Sequence, residues 1–212
     1  MDWLNRIERK MGKWAIPNLM KYLCLAMLGV FVLEYLPLPR SAWELLYFNR
    51  ALILRGQVWR LVTFLFLPPD SSTIWILFSL YFYYFLGTSL ENHWGSRRFT
   101  LYYGIGAVCC IAAGMITGVT TNAYLNTSLL LAFAVLYPDM TFNLFFFLPV
   151  KVKWIGWFWG AELAYEFFAG PMPYKIVLAL SLAPFFLFFG KDMYLRLKLL
   201  IRHIRFRINS RR

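Results

Sequence analysis

The chain has 212 residues, 60% of them hydrophobic and 20% aromatic, and a formal net charge of +12. A mean hydropathy of +0.56 excludes an ordinary soluble core. The basic residues gather at the two ends and in short loops between apolar runs, which points to a polytopic membrane protein rather than to a nucleic-acid surface.

Residues 1–18 form a first unit. Trp3, Leu4, Ile7, Met11 and Trp14 recur at helical spacing with Arg6, Arg9, Lys10 and Lys13 largely opposite, which predicts a cytoplasmic helix lying in the membrane interface. No small-residue cleavage site follows, so no signal peptide is expected. Residues 19–190 form the second unit, an all-α membrane domain with six apolar runs. The first span covers residues 19–36 and stops at Pro37 and Pro39, with Glu34 in its last turn where it reaches water. Residues 41–60 are too polar to span and too apolar to float free, so they are expected half-buried in the outer leaflet. Within that loop Trp59 and Arg60 read as an interface anchor, an amphipathic ring beside a snorkelling charge. Pro68 and Pro69 then break the backbone.

The second span, residues 74–90, closes on a polar turn in which Glu91 is expected to accept from loop amides or to pair with Arg97 or Arg98. The third, residues 99–118, places Gly106, Cys110, Gly114 and Gly118 at strict four-residue spacing. Such a small-residue stripe lets a neighbouring helix approach closely. Asn122 lies in the turn before the fourth span, and Asn126, Thr127 and Ser128 fall in that span's first turns, before it ends at Tyr137-Pro138-Asp139. Polar groups inside a span are costly unless they pack or work. Residues 142–148 are apolar but too short to cross, so they are expected along the inner interface. The fifth span, 154–168, carries Glu162 and Glu166 one helical turn apart, and the sixth covers 176–189.

Residues 191–212 form the third unit, a basic amphipathic cytoplasmic tail suited to an anionic leaflet. It lacks the aromatic platforms that nucleic acid would need. Cys24, Cys109 and Cys110 all lie in apolar runs without metal-ligand spacing, so neither metal nor cofactor is expected. With both termini on one side, that side holds 17 Lys and Arg and the other holds five, which predicts cytoplasmic termini.

Two motifs carry a family resemblance. Gly56-Gln57-Val58-Trp59-Arg60 before an apolar run resembles the Trp-Arg segment in the first loop of the rhomboid superfamily, and Glu91 with Gly95 resembles its Glu-x-x-x-Gly turn after the second span. The order of six spans, the half-buried first loop and the glycine-rich third span fit the same family. Active members pair a serine near the start of the fourth span with a histidine on the sixth, because a hydroxyl needs a base in reach. Here the histidines are His93 and His203, neither on the sixth span, and Asn126-Thr127-Ser128-Leu129 lacks both glycines of the nucleophile motif. Either Ser128 or Ala123 occupies the nucleophile slot. Ser128 reads chiefly as a helix-backbone or interhelical hydrogen-bonding residue.

The resemblance is therefore to the proteolytically inactive, derlin-like branch, and it implies a protein that is not an enzyme. It implies binding of transmembrane client proteins for quality control or hand-over to a membrane protease or AAA ATPase. The spans expected at about 17, 15 and 14 residues would also thin the local bilayer. Asn122, Asn126, Ser128, Glu162 and Glu166 are the candidate groove residues. Two rivals stand beside this reading: an intramembrane serine protease using Ser128 with Glu162 or Glu166 as base, and a transporter using the two carboxylates. The compact chain and its short basic tail favour a bacterial plasma membrane, with the endoplasmic reticulum as the alternative.

Overall fold

The computed structural model describes residues 15–36, 41–69, 72–144 and 148–190. The interfacial helix expected over residues 1–18 falls mostly outside them, and the basic tail over 191–212 falls entirely outside. Among the described residues up to Ser181 the chain forms nine α-helices and a short hairpin: α1 (Leu19–Glu34), α2 (Ala42–Leu46), α3 (Arg50–Leu54), α4 (Arg60–Thr63), α5 (Thr73–Trp94), α6 (Ser96–Thr117), α7 (Ala123–Leu136), β1 (Thr141–Leu144), β2 (Leu148–Lys151), α8 (Val152–Ala169) and α9 (Met172–Ser181). The fold is mostly helical.

Among the described residues, α6 is both long and apolar enough to cross a bilayer, with a mean hydropathy of 1.8. α9 and the helix Ala183–Gly190 form a second such span if they are taken together across a 43° bend. Pro184 accounts for that bend, because it cannot donate a backbone hydrogen bond and its ring crowds the preceding turn. α5 has 22 residues and α8 has 18, about 33 and 27 Å at helical rise. Their Tyr, Trp and Glu residues, rather than length, hold their hydropathy down.

The boundaries depart from the sequence reading in two places. The second span runs on through Glu91 to Trp94, and the third begins at Ser96, so the polar turn shrinks to Gly95 at φ 82° and ψ 154°. Only glycine takes that backbone conformation readily. The apolar stretch at 142–148, too short to cross, contributes to a β-hairpin. Thr141–Leu144 and Leu148–Lys151 pair as an antiparallel hairpin, with Phe142 opposite Val150, so the domain is not all-α. Phe142 packs edge-on against Phe82 at 5.3 Å and Phe85 at 5.0 Å, which docks the hairpin on α5.

α6 is the axis of the bundle, packed against α5, α7 and α9. Its small residues set the distances. A Cβ on Gly106 would collide with Leu125 Cδ1 of α7 and come within 3.3 Å of Pro184, and one on Gly114 would meet the Phe48 ring at 2.5 to 2.9 Å. Between them Cys110 Sγ contacts Ser181 Oγ of α9 at 3.2 Å. Gly118 is a different case: it has open space around it and sits at φ 97°, closing α6 in the left-handed conformation rather than packing. A close approach absent from the sequence reading occurs at Gly87, where a Cβ would collide with the buried Met20 of α1.

Candidate functional site: the first loop and a lateral groove

The first loop is stitched together by Arg60. Its side chain is 2% exposed, so it does not snorkel to the interface as the sequence suggested. Nη1 donates to the Tyr47 carbonyl at 2.8 Å, Nη2 to the Glu44 carbonyl at 2.8 Å and Nε to Gln57 Oε1 at 2.7 Å, while the guanidinium lies 5.0 Å from the Tyr47 ring. One planar fork thus satisfies the ends of α2 and the turn before α4. Trp59 stays half exposed and donates its indole N–H to the Leu45 carbonyl at 3.3 Å. Phe48, between α2 and α3, inserts its ring into the Gly114 notch of α6 and meets Phe64 edge-on at 5.6 Å. The sequence places Tyr47 and Phe48 in a half-buried loop and Gln57 beside the Trp-Arg pair, but does not give their contacts with Arg60 and Gly114. The loop's mixture of aromatic and polar residues was the available signal.

On the opposite side of the bundle Glu91 is buried in the last turn of α5. Its Oε1 accepts from the Asn18 amide at 2.8 Å and from Ser96 Oγ at 2.5 Å. It therefore anchors the entry to α1 onto the Gly95 break. Replacing Glu91 by alanine leaves the Asn18 amide without its acceptor and lowers stability by about 1–3 kcal/mol, whereas Glu91→Gln retains a carbonyl acceptor and costs less. Thermal unfolding in detergent micelles separates the two. On the same side His93 Nδ1 lies 3.3 Å from Tyr137 Oη, joining the ends of α5 and α7.

The five candidate groove residues do not converge. Asn122 is buried and donates through Nδ2 to the Leu65 and Leu67 carbonyls at 3.0 and 2.8 Å, tying the start of α7 to the end of the first loop. Ser128 faces α6: its hydroxyl donates to the Leu125 carbonyl at 2.6 Å and accepts from Tyr102 Oη at 3.0 Å. Ala123 opens α7, more than a turn before it, with its amide donating to Thr121 Oγ1. Glu162 is exposed on α8, and Glu166, a turn later, is an electrostatic neighbour of Tyr124. Neither carboxylate lines the groove described next.

That groove has a volume of about 640 Å³ and runs between α5 and α8, with α7 as its floor. Phe78, Ser79, Phe82 and Tyr83 form one wall, and Trp154, Ile155, Phe158 and Trp159 form the other. Phe142 and Val150 of the hairpin also line it. Asn126 lies at the floor, 1% exposed, and neither its Oδ1 nor its Nδ2 has a hydrogen-bond partner. Of the five candidates it alone lines the groove. Sequence spacing put Asn126, Ser128 and the glutamates on adjacent spans, but helix rotation decides which of them share a face.

The outward faces are strongly apolar. Trp157, Phe158 and Phe168 are 75%, 69% and 78% exposed on α8, a surface suited to lipid and not to water. A search of the curated proteins finds no match. A family model does match, and its description, a eukaryotic integral membrane protein, overturns the bacterial plasma membrane favoured by the compact chain and short tail. Chain compactness carries no information about the kingdom, because bundle size is set by the bilayer and not by the cell. The exposed aromatic belts and the apolar span α6 thus agree with the match over residues 21–161, and the chain belongs to the eukaryotic integral membrane protein family DUF1751.

Proposed function

We propose that the protein is a six-span, rhomboid-like membrane protein without catalytic activity, which binds transmembrane segments of client proteins in the lateral groove between α5 and α8. The observation that carries this reading is the groove itself: an apolar cleft between α5 and α8, with an unpartnered carboxamide on its floor. A buried polar group without a partner is costly in hydrocarbon. A site that supplies such a group to an incoming helix recovers that cost on binding. Ser128 supports the non-catalytic reading, since its hydroxyl proton goes to the Leu125 carbonyl.

Bilayer thinning belongs to the same proposal, though on different helices from those first expected. α5 and α8 are longer than the spans expected there. α1, with 16 residues and the exposed Tyr22 and Leu25, is about 24 Å long against a hydrocarbon core of about 30 Å. A short lipid-facing helix draws the leaflets together beside it. This lowers the cost of presenting a polar client segment.

Site-specific photo-crosslinking tests the proposal in native membranes. A benzophenone side chain at Phe158, in the groove wall, is expected to capture full-length membrane proteins, whereas the same probe at the equally exposed Val108 of α6 captures none of them. Equal capture at the two positions would overturn groove binding. Cleaved fragments that vanish with Ser128→Ala would overturn the non-catalytic reading in favour of a protease.

A further inference from the structure

The groove's recognition chemistry follows from Asn126. Resting on the client-binding reading above, we infer that the groove selects transmembrane helices that carry an Asn or Gln side chain within the span, and that it does so by carboxamide-to-carboxamide pairing at Asn126.

Three observations lead there. The first is the donor set: Asn126 presents one acceptor and an NH2 group side by side, both buried and both unpartnered. The second is the wall composition, which sets the aromatic rings of Phe78, Phe82, Trp154, Phe158 and Trp159 around Asn126, the one carboxamide in a lining that also carries the hydroxyls of Ser79, Tyr83 and Thr127. Such a wall gives area to any apolar helix and orientation only to one with a matching polar group. The third is the spacing of the lining residues, at i, i+1, i+4 and i+5 on both α5 and α8 and at i, i+1 and i+4 on α7. Three helical ridges at that spacing shape a trough for a fourth helix.

Carboxamide geometry narrows the partner further. A primary carboxamide carries its oxygen and one N–H on the same side, so two of them close a ring of two hydrogen bonds. The secondary amide of a lipid is trans, with its N–H and C=O pointing in opposite directions, and engages only one atom of Asn126. An ester or an acyl chain supplies no donor at all. The backbone of a client helix is already paired within itself. An Asn or Gln side chain satisfies both atoms at once without the protonation that Asp or Glu would need to do the same, and within a span such a residue is otherwise left to find its own partner.

The test uses the full chain reconstituted in phosphatidylcholine vesicles with fluorescent, Leu/Ala-rich transmembrane peptides of about 20 residues. One peptide has Leu throughout its centre, and three others carry a single Gln at successive depths. Energy transfer from the protein to the peptides reads binding. At one depth the Gln peptide is expected to bind about tenfold more tightly than the Leu peptide, the range of interhelical carboxamide hydrogen bonds. With Asn126→Leu the Gln and Leu peptides are expected to bind alike at every depth, and Asn126→Gln retains part of the difference.

Equal binding of Gln and Leu peptides to the wild-type protein overturns the inference without any variant, while groove binding by clients stands. Binding of neither peptide counts against both. Displacement of the Gln peptide by ceramide at low molar ratio, lost with Asn126→Leu, would assign the site to an amide lipid and overturn the inference as well.

Discussion

Arg60→Lys destabilises the protein nearly as much as Arg60→Ala, which lowers stability by about 3–5 kcal/mol. The size follows from what is stranded: the Glu44 and Tyr47 carbonyls and the Gln57 side chain all accept from one buried guanidinium. Each unsatisfied buried group costs about 1–3 kcal/mol. An ammonium on a flexible stem cannot reach two carbonyls and a side-chain oxygen from one plane, so lysine recovers only a part. An interface anchor would behave otherwise, because a snorkelling charge tolerates lysine well. Unfolding of the three proteins in micelles decides between the two, and a wild-type-like Arg60→Lys would sink the buried-fork account.

The second large effect belongs to the axis helix. Gly114→Leu forces the Phe48 ring out of the α6 notch and is expected to lose most of the folded protein, and Gly114→Ala costs about 1–3 kcal/mol by overpacking. In a Phe48→Ala background the Gly114→Ala penalty disappears, since the colliding ring is gone. Such non-additivity is the signature of direct contact. Gly118→Ala provides the contrast within the same stripe. It costs about 1 kcal/mol through its φ of 97°, and Phe48→Ala leaves that cost unchanged. Thermal unfolding of the double-mutant cycle measures both. An undiminished Gly114→Ala penalty without Phe48 would refute the notch.

Several features were legible in the residues themselves. Apolar runs separated by Pro, Gly and charged punctuation set the order of the helices, and the four-residue glycine spacing identified α6 as a packed helix. Glu91 and Gly95 were recognisable as a structural pair, although the turn they serve is a one-residue break within nearly continuous helix. The hairpin had a signal that length overrode: Thr141-Phe142-Asn143-Leu144 alternates polar and apolar for four residues, too briefly to outweigh the Phe-rich run that follows.

What the sequence determined by itself is the solvent of this protein. Bulk hydropathy, aromatic content and the clustering of Lys and Arg are additive properties of residues, so they require no knowledge of contacts. They place the chain in a membrane as a helical bundle. What only the tertiary structure decided is which polar side chains share a face. Asn122, Asn126 and Ser128 lie within seven residues on one helix and its entry turn, yet they point to the first loop, to the groove and to α6 respectively. Successive residues on a helix are rotated by about 100°, so spacing alone gives their relative directions. The packing of α7 against its neighbours fixes the absolute one, leaving Asn126 unpartnered at the floor of the groove.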